Sequence, residues 1–281
     1  MAIQSVDSLI NNMANNSSRI IIDKSSISNA AAAQFHSLWR ATGQPGQGAV
    51  PTSAATCDNT LLGALQFNQQ TLPATSYQSI FEAICSNAGV TLEVHDRLMH
   101  MGGLSGIVFT PTSQTVSLDV NANIANDNLT ARRGDGNYSD IQWWLEWYLD
   151  TGSTAATATV NVTYNDGSSG NLTAISLAGT RRASFMQPLN FLIPAADSGK
   201  YIRAVNTVTL SASTGTAGNF GVTATRYRSA LYLPVANARF TADWAGLGLP
   251  EIPNESCLFI VELASTTSTG TVRGTGKITH G

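Results

Sequence analysis

Between Ile141 and Tyr164 the chain keeps a period of two for longer than anywhere else. Ile141, Trp143, Leu145, Trp147 and Leu149 alternate with residues that include Gln142 and Glu146, and Asp150 closes the run. After an Asp-Thr-Gly-Ser break, Ala158, Val160, Val162 and Tyr164 alternate with Thr157, Thr159, Asn161 and Thr163. Strands send successive side chains to opposite faces, so this pattern means extended chain with one buried face. Asn165-Asp166-Gly167 follows, and tight strand reversals need the positive φ that Asn, Asp and Gly tolerate. The expectation is a β-hairpin at the centre of a β-sheet core.

The same period recurs downstream. From residue 105 to 263 the chain reads as many short strands joined by polar turns, which predicts a mainly β fold with a β-sandwich or jelly-roll-like body. Strands are expected in IVFTP from Ile107, in QTVSLDV, over Arg181 to Phe191, Tyr201 to Ala212, Phe220 to Ala224 and Tyr227 to Val235. Residues 121–139 read as a long polar loop. Cys257 to Leu263 is apolar on both faces and predicts a central strand covered on each side. Residues 264–281 are rich in Thr and Gly and predict an edge strand or an exposed tail.

The N-terminal 43 residues read as α-helical. Val6, Leu9, Ile10 and Met13 fall at helical spacing, with Ser5 and Asp7 suited to a first turn. A second helix is expected from a Ser28 or Asn29 cap to Gly43, with Phe35, Leu38 and Trp39 on a stripe suited to docking. This segment is either an arm that attaches to a partner or a helix packed on its own β domain. Residues 44–104 form a mixed connecting segment. It opens on the Gly/Pro-rich GQPGQGAVP and contains a helical pattern at Ile80, Phe81, Ile84 and Cys85. A short strand follows at Val90, Leu92 and Val94, then a turning connector from Met99 to Gly106.

Charged residues make up 12% of the 281, about half the usual ~25%. Their place is taken by Ser, Thr, Asn, Gln, Ala and Gly. A surface of uncharged polar groups repels its neighbours little and is easily desolvated, which suits a protein packed against others. The net charge of −3 lacks the footprint of a general nucleic-acid binder, and no specific nucleic acid is expected. No run approaches the ~20 apolar residues that span a bilayer, and no signal-peptide pattern opens the chain, so a cytoplasmic product without membrane insertion is expected.

Sites of chemistry are few. Cys57, Cys85 and Cys257 are far apart and form no CxxC, so buried apolar thiols are expected. His95 and His100 are five apart, the wrong spacing for a shared metal on one helical face, and no metal or cofactor is expected. His36 and His280 read as structural or solvated. Asp140 with Glu146 is the carboxylate pair a glycosidase would need, but Glu146 falls on the polar face of a strand, where solvation is the expectation. Trp143 and Trp147 face the core by alternation, and Trp144 faces outward, where a flat aromatic could stack on a sugar. Arg132 and Arg133, beside Gly134-Asp135, suit an interfacial loop making charge-assisted bonds. The Asn128-Leu-Thr and Asn161-Val-Thr sequons are expected by chance in a chain so rich in Asn and Thr.

Residues 100–230 carry one further signal. HMGGLSGIVFTPTSQTVSLDV, NYSDIQWWLEWYLDTGSTAATATVNVTYNDGSSGNLTAISLAGTRRASFMQPLNFLIPA and YIRAVNTVTLSASTGTAGNFGVTATR resemble structural proteins of tailed-bacteriophage virions. The resemblance covers a little under half of the chain and includes no catalytic motif, so no residue roles transfer. It implies a non-enzymatic capsid decoration (cement) protein, with a tail or head–tail component as the alternative. It also implies assembly in the host cytoplasm into a virion, other virion proteins such as the major capsid protein as partners, and self-association, a trimer being one candidate. A receptor- or glycan-binding module and a tail-associated polysaccharide hydrolase are the rival classes.

Overall fold

The structure is a computed structural model that describes residues 3–71, 73–122 and 131–281. The Asn128 sequon and residues 123–130 of the loop expected over 121–139 lie outside the described residues. After helix α1 (Val6–Asn15), the first strands are β1 (Ser17–Lys24), β2 (Phe35–Ser37), β3 (Gly43–Gln44), β4 (Ala55–Thr56), β5 (Ser76–Cys85) and β6 (Val90–Leu104). Next come β7 (Gln114–Asp119), β8 (Ile141–Leu149), β9 (Thr157–Tyr164), β10 (Ser169–Asn171), β11 (Ile175–Ser176) and β12 (Phe185–Pro188). The chain continues through β13 (Ile202–Leu210), β14 (Asn219–Leu233), β15 (Phe240–Asp243), the helical turn α2 (Trp244–Leu247), β16 (Leu258–Leu263) and β17 (Val272–His280).

The chain divides into two compact units, each built from non-contiguous segments. One holds residues 1–49, 58–96 and 227–281, the other 50–57 and 97–226. The sequence reading drew contiguous segments instead. The divisions fall inside β6 and β14, strands of 15 residues each.

The first unit is a sandwich. Its larger sheet has the antiparallel order β15-β5-β17-β1-β3, and β16 pairs with β2 and with residues 91–96 of β6. Between these layers lie Ile20, Ile22, Phe81, Ala83, Cys85, Leu92, Val94, Leu258, Ile260 and Ile278. The central, covered strand expected at Cys257–Leu263 is β16. The 264–281 tail is no edge or arm: β17 is paired on both sides, with β5 and with β1. Its Thr and Gly residues misled because a strand whose backbone is fully paired needs few large side chains of its own.

The second helix is absent. Phe35–Ser37 is strand β2, paired with Val261–Leu263, and Leu38–Arg40 is a single 3-10 turn. Asn29 and Ala33 have φ of 64° and 60°, which end a right-handed helix. The alanine run favours a helix only weakly, and pairing to β16 outweighs that propensity. Tyr77–Asn87 is likewise strand β5 rather than helix. Phe81, Ala83 and Cys85 face the core while Ile80 and Ile84 lie on the other face, and apolar residues on both faces imitate helical spacing. The connector expected over Met99–Gly106 is mostly the end of β6.

The second unit is also a sandwich. One layer is β10-β9-β13-β7, with β11 also on β9; the other includes β12, β8 and residues 219–226 of β14. Trp143, Leu145 and Trp147 of β8 meet Val160, Val162, Val205, Val208, Phe220 and Val222 in the core, as alternation requires. Trp147 stacks on Phe220 with ring centroids 5.6 Å apart. The hairpin at Asn165-Asp166-Gly167 is present: Tyr164 N–H donates to Ser168 O at 2.8 Å, and Gly167 has φ 84°. IVFTP is not a strand.

Candidate functional site

β8 is buried on both faces, which places charge inside the second unit. Opposite its core face, Glu146 meets Arg97 of β6, and both are fully buried. Arg97 donates from Nη1 to Glu146 Oε1 at 3.2 Å and from Nη2 to Oε2 at 2.6 Å. Nη2 also reaches Tyr148 OH at 2.8 Å, and Nε reaches His100 Nδ1 at 2.9 Å. Thr223 Oγ1 and Tyr148 OH donate to Glu146 Oε2 at 2.5 and 3.1 Å. Burial is the largest single influence on Arg97 and opposes its charge, but the Glu146 carboxylate, Tyr148 and Cys57 together outweigh it and raise the guanidinium above its ordinary pKa. Burial, then Glu146, pushes the Tyr148 phenol well up. Arg132 closes the cluster, donating to Cys57 O at 2.7 Å and to Arg97 O at 2.9 Å. Glu146 is thus a fully engaged carboxylate, not the solvated one expected. It cannot serve as a general acid or base for a substrate that has no access to it.

The first unit buries a second pair. Asp96 accepts from Arg228 Nη2 at 3.0 Å, from Ser256 Oγ at 2.9 Å and from Cys257 N–H at 2.9 Å. His280, read as structural or solvated, is structural: it is buried between serines. Asn68 N–H donates to Ser18 Oγ (2.9 Å), and His280 hydrogen-bonds Ser18 Oγ through Nε2 (2.6 Å) and Ser76 Oγ through Nδ1 (2.9 Å). This is a neutral imidazole, in line with a pKa lowered by burial. The line Ser18–His280–Ser76 ties β1, β17 and β5 together, and the Ser18 oxygen is already engaged. Glu262 of β16 is different. It is buried, neither carboxyl oxygen has a hydrogen-bond partner among the described residues, and desolvation raises its pKa to about 9. It registers opposite His36, which burial lowers to about 4.

The surface of the first unit carries an open depression. On the large sheet, Ile20 and Ile22 point to the core, so Arg19, Ile21 and Asp23 point away. Register sets Arg19 beside Lys277 and Ile80, Ile21 beside Thr275 and Glu82, and Asp23 beside Arg273 and Ile84. Thr275 is short, and a shallow depression of about 360 Å³ lies there among Arg19, Ile21, Glu82, Ile84 and Arg273. Arg273 pairs with Asp23 at 3.1 Å, and Arg239 pairs with Glu82. Helix α1 occupies the other end of this face, where Lys277 Nζ donates to Met13 O at 2.9 Å. Its N-terminus is held by a capping box between Ser5 and Ser8.

The residues singled out in the sequence do not come together as one site. Leu38 and Trp39 are buried in the first unit, where Trp39 meets the edge of Phe259 at 6.2 Å and Phe35 keeps partial exposure. In the second unit Arg132 is buried, and Arg133 keeps partial exposure with its guanidinium 5.5 Å from the Tyr138 ring. Trp144, expected outward, is only 3% exposed and donates from Nε1 to Thr225 Oγ1 at 2.8 Å. The glycan-stacking role loses its platform, since β8 has no solvent face there. Asp140 pairs with Arg226 at 2.9 Å. The three cysteines are buried, as expected. Sequence reading missed Arg97, Asp96 and Glu262. A lone acid inside the apolar run LFIVEL is a signal that could have found Glu262.

No protein-family model matches the chain, and no curated protein matches it. Among solved structures, it aligns with the VP2 subviral particle of infectious bursal disease virus at 11% identity. That alignment covers 94% of this chain and 79% of that one, with a TM-score of 0.17. The T13 viral particle of the same virus aligns at 9% identity over 95% and 78% of the two chains, again with a TM-score of 0.17. Scores at this level do not establish a shared fold.

Proposed function

We propose that this chain is a non-enzymatic structural protein of a virus particle, which decorates and stabilises a capsid through subunit contacts. The observation that carries this reading is a surface poor in charge that still exposes large apolar side chains. Phe191 is 82% exposed, Leu62 69%, and Ile10, Ile21 and Tyr232 each more than half. Covering one such side chain contributes roughly 1.5–3 kcal/mol, so a lattice that covers several gains interface energy with little desolvation cost. Binding of the chain to assembled subunits alone then stabilises the assembly by mass action. The resemblance of residues 100–230 to tailed-phage virion proteins supports the same reading. It points to the major capsid protein and further copies of this chain as partners, with assembly in the host cytoplasm. The engagement of Glu146 by Arg97, Tyr148 and Thr223 argues against the hydrolase alternative.

The test is to image purified particles from infected cells and to sediment them with and without this chain. The expected result is ordered density for the chain on the capsid, and particles without it that open at lower temperature. Density on the tail would move the assignment to a tail component. A chain missing from purified particles would overturn it.

A further inference from the structure

We propose that the outer face of the large sheet in the first unit is a homotypic docking surface, and that its occupant is helix α1 of a second copy of this chain. Helix α1 covers only one end of that face, at Lys277, and leaves open the depression between Ile21 and Ile84. The helix itself is half-used. Leu9 is buried against its own unit, while Val6 and Ile10, one turn apart on the neighbouring part of the helix surface, are 55% and 57% exposed. An open depression with Ile21 and Ile84 among a rim of charged side chains, and an open aliphatic stripe, therefore lie side by side on one molecule.

Charge matches in the same sense. Asp7 flanks the Val6–Ile10 stripe on the side away from Leu9 and is exposed. Arg19 borders the depression and, among the described residues, makes no ion pair, whereas its neighbours Arg273 and Arg239 are paired to Asp23 and Glu82. A cation of the face and a carboxylate of the helix, neither in an ion pair among the described residues, thus match in sign. Because helix and depression are adjacent, a two-fold axis lets each copy place its helix in the other's depression. The contact is made twice and closes on itself. One helix of ten residues spans about 15 Å and would be a weak anchor alone, but reciprocal exchange doubles the buried surface. This pairing does not rest on the virion assignment, since it concerns the chain in isolation.

Sedimentation equilibrium of the full chain from about 1 to 100 µM tests it, with circular dichroism to check that each variant is folded. A monomer–dimer equilibrium is expected. Ile21→Glu and Ile10→Glu, both at exposed positions, should raise the dimer Kd at least about tenfold. Arg19→Asp and Asp7→Arg should each weaken it, and the double variant carrying both changes should regain most of the loss, because the swapped charges meet across the two-fold. A chain that stays monomeric throughout would overturn the proposal. So would a dimer indifferent to Ile21→Glu, or a charge-swapped double variant no better than the single ones. Failure here leaves particle imaging free to succeed, and the reverse.

Discussion

Glu262→Gln isolates one buried ionisation and its consequence for the first unit. In the native chain the Glu262 carboxyl has no hydrogen-bond partner among the described residues, and its pKa is about 9, against 4.5 for an ordinary glutamate. Between those values the folded state holds a proton that the unfolded chain has released. Stability from this group is therefore complete below about pH 4.5 and falls as pH rises, at about 1.4 kcal/mol per unit, until pH 9. Two neighbours limit the clean window. His36, lowered to about 4, couples to stability only below its ordinary pKa of 6.5, and Cys85, raised by burial to about 11, only near and above its ordinary 9. From pH 7 to 8.5 Glu262 acts alone among these three and should by itself cost the unit roughly 2 kcal/mol, about a thirty-fold rise in its opening equilibrium; Lys24, lowered by burial to about 8, offsets part of that loss near and above pH 8, in the variant as in the wild type. Hydrogen exchange of the β16 and β5 amides, corrected for the intrinsic pH dependence of exchange, reads that equilibrium directly. Wild type should lose about thirty-fold more protection across the window than Glu262→Gln, which cannot ionise and in which only the Lys24 contribution remains. Equal slopes in the two proteins would mean that Glu262 is already charged in the folded chain, and the argument from burial would fail.

Two further predictions concern the second unit. Arg97→Met should destabilise it by about 3–5 kcal/mol in urea unfolding, because it strands Glu146 as an unpaired buried charge, and Arg97→Met with Glu146→Leu should recover much of that loss. Equal effects of the single and double variants would show that the pair is not coupled. Gly221→Ala should destabilise by at least about 3 kcal/mol, since an added Cβ would lie 1.7 Å from the Met101 carbonyl oxygen. A fully stable alanine variant would show that the two strands can separate at little cost.

What was legible before the structure was the alternation. The period of two at Ile141–Tyr164 placed Trp143 and Trp147 in the core, and Asn-Asp-Gly placed the hairpin, because both follow from backbone geometry within a few residues. Capped helix α1 was legible for the same reason. The errors share one cause. Trp144 and Glu146 were read as solvent-facing because alternation tells which residues share a face but not what lies over it. Only the arrival of Arg97, Thr223 and Thr225 from distant segments made the second face of β8 a buried one. Phe35–Ser37 and Tyr77–Cys85 were read as helical because local spacing is ambiguous when both faces are apolar, and partners two hundred residues away decided for strand. The sequence by itself determined that this is a β protein with a lightly charged surface, since period and composition are local quantities. Which charges are buried, which face stays open beside α1, and that the last residues form an interior strand were decided by tertiary structure, because each depends on what another part of the chain brings within bonding distance.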